Sequence, residues 1–299
     1  MNTSFPEELK RDIDYAFSCF DSYLVFFPRE RIRHAHICEI GPGKNLAVSL
    51  MFRCLGADKV YAVDKYLKPW VDGYHAPLYG LLAEAVLSRW PDAEADVLYA
   101  CAESGTHNVE GVAALTEDAE SLESVPDGSI NFLCSWAVLE HLYDPPKAFA
   151  RFAAVTKEGG YGLHQVDFRD HHDFTRPLEF LLHHYRWNLP PDDATHAWLA
   201  QRLGRGLEQA RAEGLNADGL IRRVCGYNGN SYRRTEYDRL WRENGFTIEH
   251  FEKNMSAGDA YLDEFLPRLQ RSGSPCRVLE REELDVVSGC YEVRRIQAA

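Results

Sequence analysis

The sequence lacks the cysteine pattern of a zinc ribbon or a disulfide scaffold. Its 8 cysteines include no CxxC pair, and several fall inside apolar runs, where cysteine acts as a small hydrophobic residue. Such usage is typical of proteins in a reducing compartment. We therefore expect cysteines that pack in a core and a cytoplasmic location.

Long apolar runs are also missing. No stretch reaches the roughly 18 consecutive apolar residues of a membrane-spanning helix. The first residues carry acidic side chains throughout and no uninterrupted apolar segment of the kind that a secretory signal contains. The sequence predicts a chain that neither spans a membrane nor is exported.

Positive charge is scarce. The chain has 33 lysines and arginines against 46 aspartates and glutamates, which gives a formal net charge of −13. Such a surface repels phosphate on average, so release of counterions cannot drive tight non-specific binding of nucleic acid. We expect no nucleic-acid partner. The hydrophobic fraction of 45% and the charged fraction of 26% are those of a folded globular chain.

Apolar runs and helical stretches alternate between residues 35 and 170, which indicates a parallel sheet covered on both faces. The predicted strands are 36–40, 59–64, 112–115, 130–135 and 161–168. The alternation breaks over 170–230 and resumes with a helix and two further strands, 246–251 and 289–296. We predict a doubly wound α/β fold in three parts. These are an N-terminal helical cap at 1–34, a main domain at 35–169 and 231–299, and a substrate-binding insertion or lid at 170–230.

A glycine-rich turn joins the first strand to a helix. Glu39 lies near the end of the strand, and Gly41, Pro42 and Gly43 follow it. Glycines let a ligand approach the backbone, and the helix N-terminus supplies unpaired N–H groups. A dinucleotide fingerprint would require glycine at position 46, where this chain has leucine, and Glu39 would repel a pyrophosphate. NAD is therefore the lesser candidate, and a ligand with an ammonium group is favoured.

Acidic residues also end the next two strands. Asp64 closes the second strand, where a carboxylate can accept both hydroxyls of a ribose. Asp118 and Ala119 follow the third strand, where they could hold an adenine amino group and admit its ring. The carboxyl ends of parallel strands share one sheet edge, so these residues predict one nucleoside-binding site.

The segments EIGPG, VYAVD, EDAESL and PDGSINFLCSWAVLEHLYDP, in this order, resemble the class I S-adenosylmethionine-dependent methyltransferases, in particular the type 11 and type 23 methyltransferase-domain group. The resemblance covers residues 35 to 168. It implies a Rossmann-like seven-stranded sheet whose last two strands form an antiparallel hairpin. It also implies S-adenosylmethionine as cofactor and S-adenosylhomocysteine as product.

The resemblance assigns cofactor contacts to particular positions. Asp64 would bind the ribose, Asp118 and Ala119 the adenine, and Ser135 and Trp136 would close over the methionine end. The family turn has a third glycine at the position of Asn45, which is a departure. The full set of expected cofactor-binding residues is Glu39, Gly41, Pro42, Gly43, Asp64, Lys65, Asp118, Ala119, Ser135 and Trp136.

Candidates for a catalytic base lie near the same edge. Methyl transfer from a sulfonium is an in-line displacement, and a hydroxyl acceptor must also lose its proton. His141, His164 and Asp167 are the candidates. Each histidine has a structural alternative: His141 could satisfy backbone groups at a strand end, and His164 could be a hydrogen-bonded core residue.

The run DFRDHHDF offers a second chemistry. Asp167, Asp170 and His171 combine carboxylate and imidazole at short spacing, which would suit a divalent metal ion that holds a sugar diol. In the alternative, Asp170 and Asp173 pair with neighbouring arginines. A histidine–aspartate base is favoured over a metal ion here.

Polar and aromatic residues near the insertion suggest the acceptor. His171, Tyr232, Arg233 and Arg234 are the expected substrate contacts, because aromatic faces and guanidinium donors suit a polyhydroxylated molecule. The alternative is that the arginines neutralise an acidic protein and the aromatics pack the lid. The segment is also similar to methyltransferases of glycan and natural-product biosynthesis.

The sequence thus predicts O-methylation of a hydroxyl on a sugar-like or other small polar molecule, with a small-molecule or glycan substrate. Four alternatives stay open: N-methylation, C-methylation, an NAD-dependent oxidoreductase or epimerase, and a non-catalytic cofactor-binding subunit. Assembly into a homodimer also stays open.

Overall fold

The computed structural model describes residues 5–171, 173–182, 212, 214 and 229–296. Most of the predicted insertion at 170–230 therefore lies outside the described residues. The described chain forms a seven-stranded sheet in the order β3-β2-β1-β4-β5-β7-β6. The strands are β1 His36–Ile40, β2 Lys59–Val63, β3 Val112–Leu115, β4 Ile130–Trp136, β5 Thr156–Asp167, β6 Phe246–Ser256 and β7 Val286–Arg295.

Helices cover both faces of this sheet. They are α1 Phe5–Phe26, α2 Arg29–Ile32, α3 Ala47–Cys54, α4 Asp72–Arg89, α5 Asp96–Ser104, α6 Pro145–Val155, α7 Arg234–Glu243, α8 Asp259–Arg271 and α9 Arg281–Asp285. Short 3₁₀ turns lie at Leu139–His141, Glu179–Leu182 and Pro275–Val278. None of the described helices is long and apolar enough to cross a membrane.

The direction of the strands confirms the predicted α/β fold. The first five strands pair in parallel, which puts their carboxyl ends at one edge. β7 inserts antiparallel between β5 and β6, with His164 opposite Tyr291. The last two strands thus form the expected antiparallel pair, and each is longer than its predicted segment.

One face of the sheet is covered by α1, α3 and α4. Phe27, just after α1, stacks on Phe132 of β4 with ring centroids 4.4 Å apart, and Phe20 meets Phe52 of α3 at 4.7 Å. These rings lie in the largest buried cluster of the chain. The N-terminal helix therefore packs directly on the sheet. The division into cap, main domain and lid stays a prediction.

The opposite face is covered by α6 and α7. Phe149 of α6 lies 4.3 Å from Trp241 of α7, measured between ring centroids, and both are buried. Trp241 also packs 4.9 Å from the imidazole of His164. This face therefore holds aromatic rings against the centre of β5.

Three elements differ from the sequence-based expectation. The helix predicted over 79–90 begins earlier, at Asp72, and α5 was not predicted. The pair Gly159–Gly160, expected to end α6, instead lies within β5. The register of β4 against β5 shifts between Ile130 and Phe132, so the extra residues form an irregularity in the strand.

Candidate functional site

A pocket of about 340 Å³ opens at the carboxyl ends of β1, β2, β3 and β4. This is the edge where parallel sheets bind ligands. Its wall combines backbone of the glycine turn, carboxylates of two strand ends and the 3₁₀ turn after β4. The lining residues are Ile40, Gly41, Gly43, Val63, Asp64, Lys65, Tyr66, Asp118, Ala119, Glu120, Ala137, Val138, His141, Leu142 and Tyr143.

The two glycines of the turn serve different purposes. Both adopt left-handed backbone, with φ of 70° at Gly41 and 77° at Gly43. A Cβ on Gly41 would collide with Val138, whereas a Cβ on Gly43 would meet no atom within 4 Å. Gly41 therefore permits close packing of two loops. Gly43 leaves its backbone open to a ligand, as a cofactor-binding turn requires.

Asn45, where the family has its third glycine, binds the first N–H of α3. Its Oδ1 accepts the N–H of Ala47 at 3.0 Å, and its Nδ2 donates to the hydroxyl of Tyr74 at 3.0 Å. The N–H of Leu46 donates to the hydroxyl of Tyr79 at 3.1 Å. The Asn45 side chain and two tyrosines of α4 thus hold the end of the turn in place of a third glycine. The sequence signal for this role was an asparagine just before a helix.

Glu39 lies beneath the turn and is not part of the described pocket wall. Its carboxylate is buried and accepts the hydroxyl of Ser49. Burial raises the pKa of Glu39 to about 7, although the hydrogen bond from Ser49 opposes this rise. A bound cation nearby would favour the charged form.

The expected carboxylates do meet at the pocket. Asp64 lies on its wall and accepts the N–H of Tyr66 at 2.7 Å. Beside it, Lys65 Nζ lies 2.6 Å from Asp118 Oδ2. Burial tends to raise the pKa of Asp118, but the hydrogen bonds from Lys65 and from the backbone of Glu120 lower it overall. These hydrogen bonds therefore favour the ionised form of Asp118 at the mouth of the pocket.

Two expected cofactor residues lie elsewhere, which corrects the prediction. Ser135 is fully buried, with Oγ 2.8 Å from Nδ1 of His164. The ring of Trp136 packs 6.0 Å from Tyr23 of α1. Both are still part of β4, whose alternate side chains point into the two cores. The residues that follow, Ala137 and Val138, line the pocket instead.

His164 is also misplaced by the sequence reasoning. It is fully buried between aromatic rings of α6 and α7, away from the described pocket wall. Burial lowers the pKa of His164 to about 3. This environment is that of a core histidine, the structural alternative, and it separates His164 from the pocket.

Asp167 is held by an arginine. Arg169 donates from Nε to Oδ1 at 2.9 Å and from Nη2 to Oδ2 at 2.6 Å. The Asp167 side chain is nearly buried and is not on the pocket wall. Its Oδ2 lies 3.8 Å from Nε2 of His171, and this histidine links Asp167 to the acceptor side of the pocket. Asp167 therefore fits an orienting role better than that of a base in contact with substrate.

His141 is the expected base candidate that reaches the pocket. It ends the 3₁₀ turn after β4, and Asn230 holds that turn by donating to the carbonyls of Leu139 at 2.8 Å and Leu142 at 3.0 Å. The rings of His141 and His171 lie 4.8 Å apart. Asn230 thus positions the turn that carries His141.

The structure brings together a different set of potential ligands from the one predicted. Glu140, His141 and His171 each offer an atom within 4.8 Å of the others. Asp170, expected in this set, is fully buried and its N–H donates to the carbonyl of Pro177 at 2.7 Å. Glu140 was missed, although it precedes His141 in the sequence. Its burial raises the pKa of the Glu140 carboxyl well above the usual value.

The expected arginine contacts with substrate are corrected as well. The Arg233 guanidinium is fully buried and donates to the backbone carbonyls of Phe168, Glu283 and Val286. Arg234 lies 4.4 Å over the ring of Phe251. Neither residue lines the pocket. Both lie on the side of the fold formed by α7 and the last two strands.

Tyr232 likewise packs within the fold. Its ring lies 5.9 Å from that of Tyr237, and its N–H donates to Asn230 Oδ1 at 3.1 Å. Of the four expected substrate residues, His171 is the one that lies beside a pocket residue.

The residues present fit S-adenosylmethionine. Gly43 leaves the space that a ligand needs at the turn, and the carboxylates of Asp64 and Asp118 flank the pocket. The donor set is acidic, as expected for a ligand that carries a sulfonium and an ammonium group. Gly41, Gly43, Asp64, Asp118 and Ala119 would hold the cofactor here.

The chain resembles one family model and several solved structures. A family model described as a methyltransferase domain matches residues 10–251. A solved S-adenosylmethionine-dependent methyltransferase from Mesorhizobium loti is similar at 16% identity over 88% of this chain and 92% of that chain, with a TM-score of 0.43. Phosphoethanolamine N-methyltransferase 2 from Haemonchus contortus is similar at 13% identity over 89% of this chain and 49% of that chain, with a TM-score of 0.42. No curated protein matches the chain.

The matched residues include the glycine turn, Asp64, Asp118 and His141, so the family covers the whole pocket. The alternatives of an oxidoreductase and of a non-catalytic subunit are set aside on this ground. The chain belongs to the methyltransferase-domain family and is an S-adenosylmethionine-dependent methyltransferase.

Proposed function

We propose that this enzyme methylates a hydroxyl group of a small polar molecule, such as a sugar-like biosynthetic intermediate, in the cytoplasm. One observation carries the proposal: His141 lies on the pocket wall with His171 and the Glu140 carboxyl beside it. A hydroxyl is a weak nucleophile until it loses its proton, and such a cluster can promote that loss.

The cofactor-facing residues divide the work. The backbone at Gly41 and Gly43 admits the methionine end, Asp64 accepts the ribose hydroxyls, and Asp118 and Ala119 border the adenine. When bound, S-adenosylmethionine supplies an electrophilic methyl group on sulfur. The protein's main contribution to the displacement is to hold the acceptor oxygen in line with that methyl group.

The reaction balances without a further reagent. The acceptor oxygen forms a bond to the methyl carbon as the carbon–sulfur bond breaks, and the electron pair of that bond stays on sulfur. The hydroxyl proton is released. The cluster around His141 stands where that proton leaves, at the end of the pocket formed by the 3₁₀ turn after β4.

Several features favour a small acceptor. The pocket, of about 340 Å³, is in the size range that small ligands occupy. The net charge of −13 disfavours a polyanion. N-methylation of an amine is the nearest alternative, since an amine must also be deprotonated before it attacks.

The test is transfer of a labelled methyl group to small-molecule extracts, followed by identification of the product. We expect an O-methyl ether or ester. His141→Ala should abolish transfer while the Kd for S-adenosylmethionine stays unchanged. His250→Ala, at an exposed position on β6, is the matched control and should keep full activity.

Two results would contradict the proposal. An N-methyl or C-methyl product would show that the acceptor class is wrong. Full activity in His141→Ala would show that the cluster does not act on the acceptor.

A further inference from the structure

The side chains of Glu140, His141 and His171 converge from two strand ends. Glu140 and His141 belong to the 3₁₀ turn after β4, and His171 follows β5. One potential ligand atom from each lies within 4.8 Å of the other two. A set of two imidazoles and one carboxylate is a common ligand set for divalent transition metals.

The Glu140 carboxyl lacks the hydrogen bonds that its burial demands. The residue is 3% exposed, and its Oε1 accepts the N–H of Asp167 at 3.2 Å. Its Oε2 has no hydrogen-bond partner among the described residues. A buried polar atom without a partner costs free energy, and such an atom inside a cluster of imidazoles indicates a missing ligand.

His171 has a similar unfilled position. Its Nε2 is buried and makes no hydrogen bond within the described part of the chain. The nearest carboxylate oxygen, Oδ2 of Asp167, is 3.8 Å away, which is beyond hydrogen-bond distance. Nε2 is therefore open to a ligand, and Asp167 lies on the side of this same nitrogen.

The Arg169 guanidinium does not compete for this site. It is already bound in a two-pronged contact with Asp167. A metal ion held by Glu140, His141 and His171 would leave that contact in place.

We propose that Glu140, His141 and His171 bind a divalent first-row transition-metal ion at the acceptor end of the pocket. Nitrogen ligands favour Mn²⁺, Fe²⁺, Co²⁺ or Zn²⁺ over Mg²⁺ and Ca²⁺, which prefer all-oxygen sites. Because His141 lies on the pocket wall, an ion held by these residues would be accessible from the pocket.

The role of the ion rests on the proposed function. A hydroxyl or a sugar diol that coordinates the ion loses its proton more readily, because the metal stabilises the alkoxide. The proton passes to water, and the alkoxide then takes the methyl group as balanced above. His141 and His171 act in this arrangement as ligands that contact the ion.

The experiment is calorimetric titration of the full chain with Mn²⁺, Zn²⁺ or Mg²⁺ alone, without acceptor. We expect one Mn²⁺ or Zn²⁺ per chain and much weaker binding of Mg²⁺. Loss of an outer partner of a metal ligand costs about 10–100-fold in affinity, so His171→Ala and Glu140→Gln should weaken binding at least as much. His250→Ala should bind as the wild type does.

The proposed site is wrong if no metal ion binds, or if both variants bind the ion as the wild type does. Each variant must first show the wild-type Kd for S-adenosylmethionine, which confirms its fold. The Co²⁺-loaded wild type gives a readout that needs no variant. Visible absorption bands of nitrogen-coordinated Co²⁺ support the site, and the spectrum of the free aqueous ion contradicts it.

The two proposals fail in different ways. If the chain binds one metal ion through these residues but yields only N-methyl products, the metal site is supported and the proposed acceptor is wrong. A chain that forms O-methyl products at an unchanged rate after chelation, and binds no ion, retains the acceptor and loses the metal site.

Discussion

Nδ1 of His164 lies 2.8 Å from Oγ of Ser135, and both side chains are fully buried on neighbouring strands. The sequence reasoning had assigned these residues to two functions, a base and a cofactor contact. Their pairing across β4 and β5 gives both a structural role. It also makes the stability of the fold sensitive to acid.

Acid should destabilise the protein through His164. Burial lowers the pKa of His164 from 6.5 to about 3, so the folded state resists protonation while the unfolded chain accepts a proton. The contribution is fully present above pH 6.5 and is lost as the pH falls towards 3. We expect His164 to remove about 1.4 kcal/mol of the free energy of unfolding per pH unit in that window. Urea titrations at several pH values measure this, and His164→Gln should show a shallower dependence. Equal slopes in the two proteins would contradict the assignment.

Replacement of Arg233 should destabilise the fold without a specific effect on substrate. The guanidinium satisfies carbonyls of Phe168, Glu283 and Val286. Each buried carbonyl left without a partner costs about 1–3 kcal/mol, so Arg233→Ala should lower the free energy of unfolding by about 3 kcal/mol or more. The neighbouring Arg234→Ala is the control and should cost no more than about 1 kcal/mol. Chemical denaturation compares the two variants. If Arg233→Ala is as stable as the wild type but has a raised KM for the acceptor, Arg233 contacts the substrate and the prediction is wrong.

Alanine at the two turn glycines should separate packing from ligand access. Left-handed backbone costs an alanine about 1–2 kcal/mol at either position. Gly41→Ala should lose more stability than Gly43→Ala, because its Cβ collides with Val138. Adding Val138→Ala to Gly41→Ala should recover that difference. Thermal unfolding gives the stabilities of the variants. Expressed as free energy, Gly43→Ala should cost more in binding of S-adenosylmethionine than in unfolding. Equal stabilities of the two single variants would argue against the collision.

Loss of the Asp64 charge should weaken cofactor binding. Asp64→Asn keeps the shape of the side chain and an oxygen for the N–H of Tyr66, but it removes a charged acceptor from the pocket. A hydrogen bond to a charged group contributes about 1.5–3 kcal/mol, so the Kd for S-adenosylmethionine should rise about tenfold to a hundredfold. Asp58→Asn, at an exposed carboxylate paired with His34, should have no effect. Calorimetry decides, and an unchanged Kd would place the ribose elsewhere.

The cofactor half of the site was predictable because its signals are local. A strand, a glycine turn and an acid at the end of the next strand are encoded in short segments, and parallel pairing then brings the strand ends to one edge. Gly41, Gly43, Asp64, Lys65, Asp118 and Ala119 accordingly all lie on the pocket wall.

The acceptor half was not predictable in the same way. His164 and Arg233 have the residue types of active sites, yet each is buried by helices that are distant in sequence. Glu140 could not be assigned from the sequence, because a carboxylate beside a histidine does not indicate which residue after β5 will lie against it. Its partner His171 is 31 positions away and meets it only when β4 and β5 pair.

The sequence by itself determined the class of fold, the order of the strands and the edge at which the pocket opens. Each of these follows from hydrophobic periodicity and turn chemistry over a few residues. The tertiary structure alone decided which polar side chains face the pocket and which satisfy the core. Burial and strand pairing depend on neighbours far along the chain, and an imidazole or guanidinium has the same sequence signature in either environment.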